Sequence, residues 1–236
     1  MHSQMRWDCV VILVILGAFV PWRSRARVTM LLRSGALASA DRINLYLSTI
    51  AFQWTASAII LWRCAAHGLQ RSALGLLLPD VSRALVATAS ISALLVLNQV
   101  FGVRRLAKIP LEKRGMMAQL AEKLLPRTKS ERYFAITLVV TVAICEEFIY
   151  RGFIQTLFQQ TLSSALAGAA ISAAFFALAH LYQGRRGLLT TFVVGLIFSA
   201  VRTWTGSLWP SIFIHFATDL SAGVASSRLL TPAESQ

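Results

Sequence analysis

Ionisable side chains interrupt otherwise apolar sequence in the second half of this 236-residue chain. They fall in three apolar runs and are Glu146, Glu147, Arg151, His180, His215 and Asp219. A charge at the centre of a membrane helix costs about 2.5 kcal/mol or more, so such residues usually serve ion paths or catalysis. Carboxylates and imidazoles are also the groups that most often move protons in hydrolytic reactions.

Helical spacing predicts how the first three of these groups pair. At about 100° per residue, Glu147 and Arg151 lie one turn apart on nearly one face, whereas Glu146 points away from Arg151. We therefore expect Glu147 to pair with Arg151 and Glu146 to stay free as a proton acceptor. The alternative is a structural cluster of Glu and Arg that only holds helices together.

Each of the two histidines also has a partner one helical turn away. Phe176 precedes His180 by four residues, and His215 precedes Asp219 by four, so Asp219 can accept a hydrogen bond from His215 and fix its orientation. Glu, His, and His with Asp on three helices within one charge-poor region predict a shared polar cavity.

Three ordered motifs carry a family resemblance. They are Glu146-Glu147-x-x-x-Arg151, Phe176-x-x-x-His180 and His215-x-x-x-Asp219. Together they resemble the CAAX-processing and bacteriocin-processing (CPBP) intramembrane proteases, a family that includes type II CAAX prenyl endopeptidases, lysostaphin resistance protein A-like proteins and Abi proteins. The resemblance covers about Tyr133 to Ala225. It departs at Asp219, where the family commonly has Asn, a side chain that can also donate a hydrogen bond.

The resemblance implies a mechanism of peptide hydrolysis. Glu146 and His180 activate a water molecule that attacks a peptide carbonyl, and His215 with Asp219 completes the pocket and helps to stabilise the oxyanion. The other two motif residues organise that pocket. We therefore expect an intramembrane endopeptidase that acts on a membrane-associated substrate, with a lipidated peptide among the options.

The same residues leave a metal open as an alternative. Two His and one carboxylate are a known catalytic zinc set, which here consists of Glu146, His180 and His215. The chain has no HExxH motif, and members of the family are described both as metalloproteases and as metal-free Glu and His hydrolases. We expect no obligatory metal, with Zn²⁺ as the alternative.

Other readings of the polar residues are a proton-coupled membrane carrier and a non-catalytic immunity or scaffold protein. A thiol or serine nucleophile is disfavoured because no candidate lies in a motif with an assigned base. Those candidates are Cys145, Ser172, Ser199 and Ser211.

Composition indicates the elements that must position these groups. The chain is 56% hydrophobic and 14% charged, which favours the bilayer as its solvent. Seven apolar stretches predict an all-α, polytopic transmembrane bundle of about seven spans, with an eighth possible. The stretches are Cys9–Val20, Asn44–Trp62, Ala84–Val103, Tyr133–Phe158, Leu162–Tyr182, Leu188–Val201 and Ser207–Ala225.

The net charge of +13 is concentrated between the apolar runs. Basic residues cluster in the connections 23–42, 103–132 and 183–187, which we place in the cytoplasm by the positive-inside rule. The N-terminus then faces outward, and the chain size and arginine usage suggest a bacterial cytoplasmic (inner) membrane. The expected partners are the lipid bilayer and a peptide or protein substrate, and no nucleic acid.

The long basic connection carries one further signal. Met117, Leu120, Leu124 and Leu125 recur at helical spacing, which predicts a helix on the membrane surface or a solvated linker helix. We divide the chain into N-terminal helices with this connection (1–131), a catalytic core (132–226) and a C-terminal tail (227–236).

Overall fold

The computed structural model describes residues 7–110 and 113–229. Within these residues the chain forms eight helices and no strand, which confirms the all-α prediction. The helices are α1 (Trp7–Arg33), α2 (Ser39–Ala66), α3 (Val81–Ala107), α4 (Met116–Leu124), α5 (Lys129–Thr161), α6 (Ala165–Ala179), α7 (Gly184–Thr205) and α8 (Trp209–Leu229). Of the predicted tail, residues 227–229 continue α8, and 230–236 lie outside the described residues.

The bundle has the composition of an integral membrane protein. Five helical segments are long and apolar enough to cross a membrane: α1, α2, α3, α5, and α7 with the short 3₁₀ turn that precedes it. Helix α6 is shorter, and α8 carries the polar third motif. Five of the seven predicted stretches lie wholly within these helices, whereas Leu162–Tyr182 and Ser207–Ala225 extend two or three residues beyond α6 and α8. The number that cross the bilayer stays a prediction.

Local sequence explains where several helices begin and end. The side chains of Asp80, Thr128 and Ser164 each accept a hydrogen bond from the backbone N–H three residues later, at 2.8–3.2 Å, and so cap α3, α5 and α6. Helix α7 ends at Gly206, whose φ of +69° is a left-handed conformation that glycine adopts without strain.

Helix α5 is the centre of the arrangement. It packs against α2 on one side and against α6 and α8 on the others, while α7 packs on α6, and α3 packs on α8. The first motif lies on α5, the second at the end of α6 and the third on α8. The packing therefore brings the three motif-bearing helices into contact.

The basic connections meet at one end of the bundle. The ammonium group of Lys123 on α4 donates to the carbonyls of Leu31 and Leu32 at the end of α1. Arg25 and Arg185 line one surface pocket at this same end. The predicted helix in the long connection is present as α4, and its position relative to a membrane stays a prediction.

Two buried contacts tie α2 to this end as well. Arg42 makes a bidentate salt bridge to Glu131, with both N–O distances at 2.9 Å, and the two residues are 4% and 0% exposed. The hydroxyl of Tyr46 donates to the carbonyl of Leu124. These contacts fix α2 and α4 against the beginning of α5.

Candidate active site

A cavity of about 500 Å³ lies between α1, α2, α4 and α5 and is closed at one side by the segment that follows α6. Its lining is predominantly apolar. Glu146 from α5 and His180 from the end of α6 both line it, and Glu146 is the only carboxylate among the lining residues. Two motif residues that are 34 positions apart in the sequence thus share one cavity.

One oxygen of Glu146 is held, and the other lacks a partner among the described protein atoms. The amide nitrogen of Gln53, on α2, donates to Glu146 Oε1 at 3.0 Å. Glu146 Oε2 is buried and makes no hydrogen bond. A buried acceptor without a partner is uncommon, because its desolvation is not compensated. This oxygen is therefore an unused hydrogen-bond acceptor on a side chain that lines the cavity.

His180 is oriented by the backbone of its own helix. Its Nδ1 lies 2.8 Å from the carbonyl oxygen of Phe176. Because a carbonyl can only accept, Nδ1 carries the proton, and in the neutral ring Nε2 is then an acceptor. The rings of Phe176 and Tyr182 lie near the imidazole, at centroid distances of 4.7 and 5.8 Å.

The remaining four ionisable motif residues form a second group, which does not line the cavity. Glu147 Oε1 accepts from Arg151 Nη1 at 2.8 Å and from His215 Nδ1 at 3.0 Å. The side chains of Glu147 and Arg151 are fully buried. His215 Nε2 lies 3.5 Å from Asp219 Oδ2, and the Asp219 side chain is 40% exposed. The group contains two carboxylates, one guanidinium and one imidazole.

Phe176 separates the two groups. Its ring lies 4.3 Å from the guanidinium carbon of Arg151 and 6.0 Å from the His215 ring, as well as against His180. A guanidinium over an aromatic face is stabilised by the negative face of the ring. The aromatic position of the second motif therefore contacts all three motif-bearing helices.

Local backbone geometry helps to place Arg151. A π-helical turn spans Phe148–Ile154, directly after Glu147, and such wide turns are frequent at functional sites. Arg151 Nη2 donates to the carbonyl of Gly195 on α7 at 3.2 Å. A Cβ at Gly195 would lie 3.1 Å from Ala173, so the absence of a side chain permits this close approach of α6 and α7.

The predicted pairings agree with this geometry. The prediction that all three motifs share one polar cavity is only partly met. Glu147 bonds Arg151, Glu146 points elsewhere, and Asp219 lies opposite His215. Of the six ionisable motif residues, only Glu146 and His180 line the cavity.

Sequence reasoning missed the contribution of the N-terminal helices. Gln53 orients Glu146, and α1 and α2 supply much of the cavity wall. One signal was present, since Gln53 is an uncharged polar residue in the middle of the apolar stretch Asn44–Trp62.

The arrangement does not fit the metal set considered above. A three-ligand site needs one donor atom from each residue close together, and Glu146, His180 and His215 do not gather theirs within 4.8 Å. Both nitrogens of His215 instead face carboxylates. In the part of the chain that the structure describes, one such group exists, Asp8 with Cys9 and His67, and Asp8 there already pairs with Arg63.

The fold and the site together define a polytopic helical membrane protein with ionisable motif residues in and beside an apolar cavity. Residues 128–221 match the family described as Rce1-like, type II CAAX prenyl endopeptidase. The match over this segment supports the family that the motifs predicted, the CAAX-type intramembrane endopeptidases. No curated protein and no solved structure matches the chain.

Proposed function

We propose that the chain hydrolyses peptide bonds of a membrane-associated substrate with a water molecule activated by Glu146 and His180. One observation carries the proposal: these two residues, from different motifs, open onto the same cavity, and each is held by one hydrogen bond that leaves an acceptor atom unused. Glu146 Oε2 and His180 Nε2 are those atoms.

The proton movements follow from these two acceptors. A water molecule gives a proton to Glu146 as its oxygen attacks the peptide carbonyl carbon, and the carbonyl becomes a tetrahedral oxyanion. When the intermediate collapses, the C–N bond breaks, and the proton passes from the Glu146 carboxyl to the leaving amine. The neutral His180 accepts a hydrogen bond from the water through Nε2 and so orients it for attack.

The buried group has a positioning role in this proposal. Arg151 and His215 both bond the same oxygen of Glu147, which fixes α5 relative to α8 at the residue beside Glu146. Since His215 and Asp219 do not line the cavity, we assign them no contact with the substrate. They act through the orientation of α5.

The walls of the cavity favour an apolar or lipidated substrate. Aliphatic and aromatic side chains from three helices face it, and the chemistry they provide suits a hydrophobic peptide segment or an acyl or prenyl chain. Lining residues of this kind are Leu16, Val20, Phe52, Leu138, Val139 and Ile149.

Cleavage of lipidated and hydrophobic peptides by the purified full-length protein tests this function. We compare wild type with Glu146→Gln and His180→Ala, each with and without a chelator, and use Glu122→Gln as the matched control because Glu122 is a carboxylate on α4 outside the cavity. Loss of cleavage in both site variants with chelator resistance is the expected result. Full cleavage by Glu146→Gln would sink the mechanism, and chelator sensitivity would require a metal.

A further inference from the structure

Arg27 on α1 is a cation with only neutral partners. Its guanidinium donates to Ser48 Oγ at 2.8 Å, and to Thr49 Oγ1 and the carbonyl of Leu45 at 3.4 Å each. No carboxylate of the described residues lies within salt-bridge distance of it, whereas Arg42, Arg63, Arg83 and Arg151 each have one. The charge of Arg27 is therefore uncompensated by the protein around it.

This charge lies at the cavity that Glu146 and His180 line. Arg27 lines it, and so does Arg23, one helical turn earlier on α1. Like charges at this spacing repel each other. An apolar cavity with two arginines at one side and a single carboxylate, Glu146, favours binding of an anionic group between or beside the arginines.

The arginines lie close to the hydrolytic pair. Ser24, between Arg23 and Arg27 on α1, donates to the carbonyl of Ala179 at 3.2 Å, and Ala179 directly precedes His180. Arg27 is three residues further along α1, or about 4.5 Å of helix. An extended peptide rises about 3.3 Å per residue, so only a few residues separate a group held by Arg27 from a bond beside His180.

We propose that Arg27, with Arg23 beside it, binds a carboxylate of the peptide substrate a few residues from the bond that is cleaved, an assignment that rests on the endopeptidase function proposed above. The carboxylate comes either from the C-terminus of the peptide or from an acidic side chain near it. Both sources share the planar, bidentate chemistry that a guanidinium recognises.

A lipid phosphate is the competing ligand, and the geometry favours the peptide. Three acceptors on α2 hold the Arg27 guanidinium against that helix, so that it lines the cavity with Glu146 and His180. Arg25, on the same helix, lines a different pocket instead. A ligand that reaches the hydrolytic pair from the Arg27 side of the cavity passes its guanidinium.

Three forms of one hydrophobic peptide test the subsite in vesicles of neutral lipid. The first has a free C-terminal carboxylate and no acidic side chain, the second is its C-terminal amide, and the third is an amide with one acidic side chain near the end. We measure kcat and KM of the full-length wild type, Arg27→Gln and Arg27→Lys, with Arg25→Gln as the matched control.

Wild type is expected to prefer at least one of the carboxylate forms to the amide by about tenfold in kcat/KM, because a charge-assisted hydrogen bond is stronger than a neutral one. Arg27→Gln removes this preference mainly through KM, so that the carboxylate forms and the plain amide are hydrolysed with similar kcat/KM. Arg27→Lys restores part of it, and Arg25→Gln behaves as wild type. The first and third peptides show which source of carboxylate is used.

Binding separates failure of the subsite from failure of the enzyme. The same peptides are titrated into the Glu146→Gln protein with and without Arg27→Gln, a measurement that requires no cleavage. Equal affinity for all three peptides would overturn the carboxylate subsite. So would an Arg27→Gln defect that is the same for every peptide and appears only in vesicles with anionic lipid, because Arg27 would then bind a lipid phosphate. If the Glu146→Gln protein binds the carboxylate peptides more tightly than the amide but wild type cleaves none of them, the subsite is upheld and the endopeptidase function is refuted.

Discussion

Glu146 and Glu147 are neighbours on α5, yet they differ in their hydrogen-bond partners and in what they face. Glu146 lines an apolar cavity and is held by one neutral amide. Each of the two carboxylates has one oxygen without a hydrogen-bond partner among the described residues. Glu147 is fully buried, and one of its oxygens bonds both Arg151 and His215. A rotation of about 100° between adjacent helical residues suffices to give one carboxylate a cationic partner and to turn the other toward the cavity.

The two surroundings also come from different parts of the chain. All partners of Glu147 lie within residues 128–221, the segment that matches the protease family. The partner of Glu146, Gln53, lies outside it, as do the cavity walls from α1, α2 and α4. The segment that matches the family thus contains its own buried ionic contacts, whereas the N-terminal helices complete the cavity that Glu146 lines.

Glu146→Gln should cause the largest loss of activity of the variants compared here and leave folding unchanged. The amide cannot accept a proton from water, and removal of a general base costs up to about 10⁴-fold in rate. Folding should be unaffected, because Gln can still bond Gln53. Peptide cleavage measured beside thermal unfolding in detergent checks both parts. A large fall in the unfolding temperature would mean that Glu146 is structural after all.

Arg151→Met, in contrast, should act mainly on folding stability. The change leaves Glu147 buried with only His215 as a charged partner, and breaking a buried pair in this way destabilises by about 3–5 kcal/mol. We expect reduced yield and a lower unfolding temperature. The double variant Glu147→Gln with Arg151→Met should recover part of the stability, because no unpaired buried charge remains. Recovery would be absent if the pair did not act as a unit.

Gln53→Leu tests the hold on Glu146 from outside the family segment. Loss of a hydrogen bond to a charged group is worth about 1.5–3 kcal/mol, so we expect at least about a tenfold fall in kcat/KM with normal folding. Trp54→Phe is the matched control. It removes a hydrogen bond of 3.2 Å between the same two helices, from Trp54 to Thr141, away from the cavity. Similar losses in both variants would point to helix packing instead.

Asp219→Asn should have the smallest effect. The side chain is partly exposed and lies 3.5 Å from His215, an ion-pair contact of the kind that contributes about 0–1 kcal/mol. Asn is also the residue that the related motif commonly carries. We expect cleavage within about threefold of wild type. A loss of a hundredfold would show that the negative charge itself is required at this position.

Much of the site could be predicted from local sequence, because helical periodicity acts over one turn. The pairing of Glu147 with Arg151, the divergence of Glu146 and the approach of Asp219 to His215 all follow from four-residue spacing. The all-α fold follows equally from the long apolar stretches, since backbone polar groups in a bilayer must be satisfied within the helix.

Only the tertiary structure decided which of these groups share a cavity. Glu146 and His180 line one cavity although they are 34 positions apart. The hydrogen bonds of Glu147 with His215 and of Gln53 with Glu146 join different helices across 68 and 93 positions. Their geometry depends on how helices pack and rotate against each other, and no periodicity within a single helix contains that information. For the same reason the sequence singled out the ionisable motif residues, whereas the packing of α1 and α2 determined that Arg23 and Arg27 line the same cavity as Glu146 and His180.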